Sequence, residues 1–141
     1  MNKKLQNSEF NTNFSTLTSA QIIAIHDVVV SIYDELNGFK RNVSIKFVEQ
    51  LAHEISDPNI SVITHATNIL YSLMHNHPFI AGNKRTALLV VTIFLNKNNL
   101  DFLITPEKGI NLLLQIEAGK MSQDEIYQFI SEHVVAQQIL I

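Results

Sequence analysis

The stretch HPFIAGNKRTALLVVTIFL, residues 77–95, decides how this chain folds. From Ala87 to Leu95 every residue except Thr92 is apolar. A helix that is hydrophobic on nearly every face belongs in the middle of its neighbours. The spacing therefore predicts a buried central helix running from Gly82 or Asn83 to Asn98. Its first turn still presents unpaired backbone N–H groups. Gly82 tolerates a positive φ and lets a ligand approach the backbone closely. The positive end of the helix, with Lys84 and Arg85 beside it, makes an anion pocket. Arg85 offers a planar fork suited to phosphate, and Lys84 acts as a point charge. Pro78 disfavours the α conformation at His77, so the preceding helix should end there. His77 then faces the pocket across a short loop that Phe79 plugs into the core. A histidine within reach of bound phosphates suggests a general base, with the N–H groups and Arg85 holding phosphoryl charge. On the residues alone, a capped helix corner with two solvated cations is an equal alternative.

Outward from this stretch the chain reads as helices in series. Residues 1–16 are polar and aperiodic, a tail or an arm laid on a domain spanning 17–141; Phe10, Phe14 and Leu17 can dock locally. Thr18-x-x-Gln21 has the form of a capping box, and Ile22, Ile25, Val29, Ile32, Tyr33 and Leu36 form a helical stripe that Asn37-Gly38 should end. Ser44 can cap a second helix carrying Val48, Leu51, Ala52 and Ile55, stopped at Asp57-Pro58. Val62, Ile63, Ala66, Ile69, Leu70, Leu73 and Met74 make the cleanest stripe, on the helix that leads into His77. After the central helix, LDFLI reads as a short extended piece. Thr105-Pro106 opens a helix with Ile110, Leu113 and Leu114 facing inward, ended by Gly119. Ser122–Glu125 is a capping box with Ile126, Phe129, Ile130 and Val134 behind it. The expectation is one all-α domain of about six helices.

Composition narrows the function. A chain of 141 residues that is 46% hydrophobic can bury a real core. The formal charge of −3 argues against a broad nucleic-acid footprint. No cysteine is present, which removes disulfides and thiolate metal sites and fits a reducing compartment. The start has lysines but no apolar h-region, so no Sec-type signal is expected, and secretion by another route stays open. The longest apolar run is far short of the roughly 20 residues that span a bilayer. A soluble, cytoplasmic protein without direct nucleic-acid or membrane binding is expected. Several other histidines are weak candidates. His75 and His77 are two apart, which on a helix turns them to different sides. His53-Glu54 begins like a zinc-protease motif, but Asp57 stands where the second histidine is needed. His26 and His65 read as structural or exposed. GNKRT lacks the upstream glycine of a P-loop.

The stretch resembles the signature of the Fic/Doc family, His-x-Phe-x-(Asp/Glu)-(Gly/Ala)-Asn-(Gly/Lys)-Arg. His77, Phe79, Gly82, Asn83, Lys84 and Arg85 match it, and LTSAQIIAIHD and ILYSLMHNHPF resemble segments preceding it in such chains. The resemblance implies an all-α Fic fold, with His77 catalytic and Gly82, Asn83, Lys84 and Arg85 holding the phosphates of ATP. Lys84, and Leu88 where typical Fic proteins carry a second arginine, are similar to the Doc branch. That branch transfers phosphate from ATP, whereas typical Fic proteins transfer AMP. The implied partners are a target protein with a modifiable hydroxyl, a translation factor for Doc-type toxins, and an antitoxin; a homo-oligomer stays open. The family's Mg2+ ligand is acidic, and Ala81 stands in its place. Three readings of Ala81 stay open: an inactivated variant, a degenerate member that binds nucleotide without turnover, or a metal held otherwise. Some members also carry an inhibitory (Ser/Thr)-x-x-x-Glu-(Gly/Asn) helix; Ser31-x-x-x-Glu35 fits in part, with Leu36 following, and a separate antitoxin is the preferred expectation.

Overall fold

The computed structural model describes residues 13–40 and 44–137. Six helices account for most of them: α1 (Ser19–Ile32), α2 (Ser44–Glu54), α3 (Val62–Asn76), α4 (Asn83–Lys97), α5 (Pro106–Glu117) and α6 (Gln123–His133). The chain is all-α, as its periodicity indicates. Most of the caps are those the sequence spells out. Thr18 with Gln21, and Ser122 with Glu125, form complete capping boxes, and Thr105 caps α5 with Pro106 behind it.

α4 is the post around which the others pack. Ala87, Val90, Val91, Phe94 and Leu95 are fully buried, with α3 along one side and α1 along another. Burial is not complete all round, because Leu89 and the end of the helix reach the surface. Of the N-terminal arm, Phe10 lies outside the described residues. Phe14 packs edge-on to Phe94 with ring centres 6.2 Å apart, and Asn98 brackets Ser15 through its backbone N–H and carbonyl at 3.0 and 2.8 Å. Leu17 is buried in the core.

Three expectations need correction. α1 stops at Ile32, not at Asn37-Gly38. Asp34 adopts φ 53°, and the Glu35 N–H donates to the Val30 carbonyl at 2.9 Å. That six-to-one closure ends the helix, with aspartate in the left-handed position glycine usually fills. Ile32 and Leu36 are therefore exposed rather than part of a buried stripe. Second, Val134 does not continue the last helix. It begins β2 (Val134–Ala136), antiparallel to β1 (Leu100–Phe102) with Phe102 opposite Val134. Two consecutive β-branched valines suit a strand better than a helix end. Third, only Leu113 of the expected inward face of α5 is buried. Ile110 and Leu114 are 60% and 50% exposed, and the buried face runs through Gly109, Leu112, Leu113 and Ile116.

Candidate active site

The loop between α3 and α4 is held from three directions. Asn83 reaches back with its side chain, accepting from the Phe79 N–H at 3.0 Å and donating to the Phe79 carbonyl at 2.8 Å. Residues 38–40 run antiparallel to the loop: the Lys40 N–H donates to the Pro78 carbonyl at 2.8 Å and the Ile80 N–H to the Gly38 carbonyl at 3.0 Å. From α1, the buried His26 ring stacks on Phe79 at 3.6 Å, with its Nε2 2.8 Å from the Ala81 carbonyl. Phe79 is thus the plug its apolar character suggests, 2% exposed and sandwiched between His26 and Phe39.

His77 caps α3 in the left-handed conformation, φ 44° and ψ 62°. Pro78 removes the ordinary helical alternative, and histidine is among the residues that tolerate this region. Gly82 caps α4 at φ 78°. The conformation favours glycine, and a Cβ there would crowd the Val29 and Val30 side chains at 3.3 Å. The two caps open onto one cleft of about 530 Å3, lined by the 81–85 helix start, His77, Glu35, Ile80 and the α5 residues Ile110, Leu113 and Leu114. That volume suits a small-molecule ligand. A cleft of about 680 Å3 beside Glu54, Asn68 and Tyr127 is larger, but it touches none of the motif.

The sequence-predicted residues His77, Gly82, Asn83, Lys84 and Arg85 therefore come together, with Asn83 spending its side chain on the loop itself. Burial is the main cause that holds the His77 pKa below its usual value, with Lys40 next; Lys84 and His75 push the same way, and Glu117 opposes them. A neutral imidazole is the form that accepts a proton. Two other histidines are engaged elsewhere: His75 with the Tyr71 carbonyl and His65 with that of Asp57.

Of the groups that partner the cations, the sequence singles out Glu35 alone, through the partial match of Ser31-x-x-x-Glu35 to an inhibitory helix. α1 ends at Ile32, so Glu35 stands beyond the helix, and neither Tyr33 nor Glu117 was read as a partner. The Arg85 guanidinium lies 3.8 Å over the Tyr33 ring and 3.4 Å from the Glu35 carboxylate. Lys84 pairs with Glu117 at 3.1 Å. Nothing in the spacing of 33 and 117 points to residue 85 or 84, since those two contacts follow from tertiary placement. For His26 the signal was present: it lies four residues after Ile22 and three before Val29, on the buried face of α1.

The Fic/DOC family model matches residues 16–95, more than half of the chain, covering the loop, all of α3 and all but the last two residues of α4. The chain belongs to the Fic/DOC family. No curated protein matches it. The Fic/DOC assignment suggests a modifier of protein targets, often a toxin, from a family that generally uses ATP and Mg2+ and has antitoxin partners. The donor set here does not fit the metal. The side chain of Ala81 offers no ligand atom. Among the described residues lining the cleft the one carboxylate is Glu35, which faces Arg85 at 3.4 Å, and Glu117, outside the lining, pairs with Lys84. Among the described residues no three acidic, histidine or cysteine side chains gather. No helix among them is long and apolar enough to cross a membrane.

Proposed function

We propose that this protein is a Doc-like modifier that transfers phosphate from ATP to a hydroxyl of a target protein and serves as the toxin of a toxin–antitoxin pair. The observation that carries the reading is the sharing of one cleft by His77 and the Gly82–Arg85 helix start. The N–H groups of that start, with Lys84 and Arg85, meet the phosphate charge. The target hydroxyl oxygen attacks the γ-phosphorus and its proton passes to His77. The bond from that phosphorus to the bridging oxygen breaks, and ADP leaves with the electron pair. Attack at the α-phosphorus, expelling pyrophosphate, is the AMP-transfer alternative. Lys84 in the motif favours phosphate transfer by resemblance to the Doc branch, and so does Leu88, which packs toward Gly109 of α5. The exposed side chains Ile80, Ile110 and Leu114 flank the motif and offer an apolar rim to an antitoxin helix.

Ala81 favours a second reading, a non-catalytic Fic-fold module that binds nucleotide or protein. Incubating the protein and a cell lysate with ATP labelled at the α- or the γ-phosphate separates these. Label from γ on a protein supports the kinase, and label from α supports nucleotidylation. ATP binding with neither label on protein supports the binding module and sinks the transferase.

A further inference from the structure

We propose that His26 is a positioning residue: its imidazole sets the Ala81–Gly82 peptide so that the Gly82 N–H faces the anion cleft. The inference rests on the reading of that cleft as a phosphate site and adds the group that aims its first donor.

A carbonyl can only accept, so the contact of 2.8 Å places the hydrogen on Nε2 of His26, donating to the Ala81 oxygen. The described backbone holds no cis peptide. In a trans peptide the C=O and the following N–H point in opposite directions. An Ala81 oxygen pulled toward the α1 interior therefore turns the Gly82 N–H away from His26. Gly82 lines the cleft, and among the described residues no acceptor meets its N–H.

A clamp is needed here for a specific reason. The backbone freedom of glycine makes rotation of the 81–82 peptide cheap. The rotated peptide would present its carbonyl oxygen to the cleft, where it would repel a phosphate. Asn83 fixes Phe79, and the 38–40 segment fixes Pro78 and Ile80; neither touches this peptide. His26 does, and its own ring cannot turn. It is 1% exposed and lies on Phe79 at 3.6 Å with the planes 9° apart. A histidine present only to fill the core would be satisfied by any nearby carbonyl. This one takes the carbonyl adjoining the helix start, across 55 residues of chain.

The test uses two substitutions and follows the Gly82 amide by 15N NMR while inorganic phosphate, and separately ATP, is titrated into the full chain. His26→Phe keeps the stack and removes the donor. His26→Gln places an amide N–H near the position of Nε2. The parent should show a Gly82 amide shift on phosphate addition. His26→Phe should melt close to the parent yet lose that shift, with phosphate affinity down about tenfold, the scale of one hydrogen bond. His26→Gln should keep the shift and bind within about threefold of the parent. A His26→Phe protein with the parent's affinity and Gly82 response overturns the proposal. So does a folded His26→Gln protein as weak as the Phe variant, since the ring and not the donor would then matter. Should His26→Phe fail to fold, retention or loss of the Gly82 response in His26→Gln decides. An absent Gly82 response in the parent also overturns it. Failure of label transfer with the Gly82 response intact sinks the transferase reading instead and leaves the role of His26 standing.

Discussion

His77 must be neutral before it can take a proton, and its surroundings favour that form. Burial and then Lys40 hold its pKa below 6.5. Activity that depends on the neutral imidazole is full above the folded pKa and falls as pH drops through it. The acid limb of a pH–rate profile should thus lie below pH 6.5. Lys40→Gln removes a cation that disfavours protonation, so the limb should move to higher pH. A limb that stays put would show that Lys40 does not act on His77. The second residue-scale prediction concerns Ala81, whose short side chain sits half-buried at the loop edge. On the proposed reading, in which the helix start and Arg85 carry the phosphate, ATP binding to the protein as it stands should depend little on Mg2+. Ala81→Asp should add Mg2+ dependence and raise transfer, and His77→Ala in that background should abolish transfer. Equal Mg2+ dependence of ATP affinity in parent and Ala81→Asp would mean that the metal is held by other groups. The signature residues were legible in sequence because the chemistry is local: a proline, a glycine and two cations within nine positions fix a loop, a helix start and its charge.

The turn after α1 shows where local reading stops. The apolar stripe suggested a helix through Leu36, but the closure from Glu35 to Val30 ends it at Ile32. Aspartate in the left-handed position is a weaker stop signal than the Asn37-Gly38 pair that follows it. The early stop has a consequence for the site. Glu35 leaves the helix axis and its carboxylate reaches Arg85 at 3.4 Å, close to the space a Cβ on Gly82 would occupy. It is therefore in the way of an anion arriving at the helix start. The magnitude decides what kind of obstacle it is. Both partners are a third or more exposed, and such a pair contributes about 0–1 kcal/mol. Glu35 is a competitor that nucleotide can displace, and too weak to be a lock. Glu35→Gln should raise ATP affinity by up to about fivefold, with the gain shrinking as salt is added. Calorimetric titration that finds no gain at low salt would show that Glu35 does not compete.

At the scale of the whole molecule, the cleft is assembled from parts far apart in the chain: the turn after α1, the α3–α4 loop and α5. The family match ends at Leu95, so the α5 wall lies beyond it. Periodicity placed Ile110, Leu113 and Leu114 together on α5 and took all three for core. It cannot tell a side chain that enters the core from one that faces a cleft, because both are apolar. The packing separates them, burying Leu113 and leaving Ile110 and Leu114 half-exposed or more. The pairing of β1 with β2 was hidden for a similar reason, since neither three-residue strand is long enough to carry an alternating pattern. The cleft consequently has a cationic end at Gly82–Arg85 and an apolar wall on α5. A nucleotide satisfies both, phosphates at one end and base at the other, whereas tripolyphosphate satisfies only the first. Replacing Ile110 and Leu114 with serine should leave the fold nearly as stable as before, because neither side chain is buried. It should lower ATP affinity by about tenfold, from an apolar contact loss of roughly 1–2 kcal/mol, and leave tripolyphosphate affinity unchanged. Competition titrations of the two ligands against parent and variant read this directly. If both ligands weaken equally, α5 supports the helix start and does not receive the base.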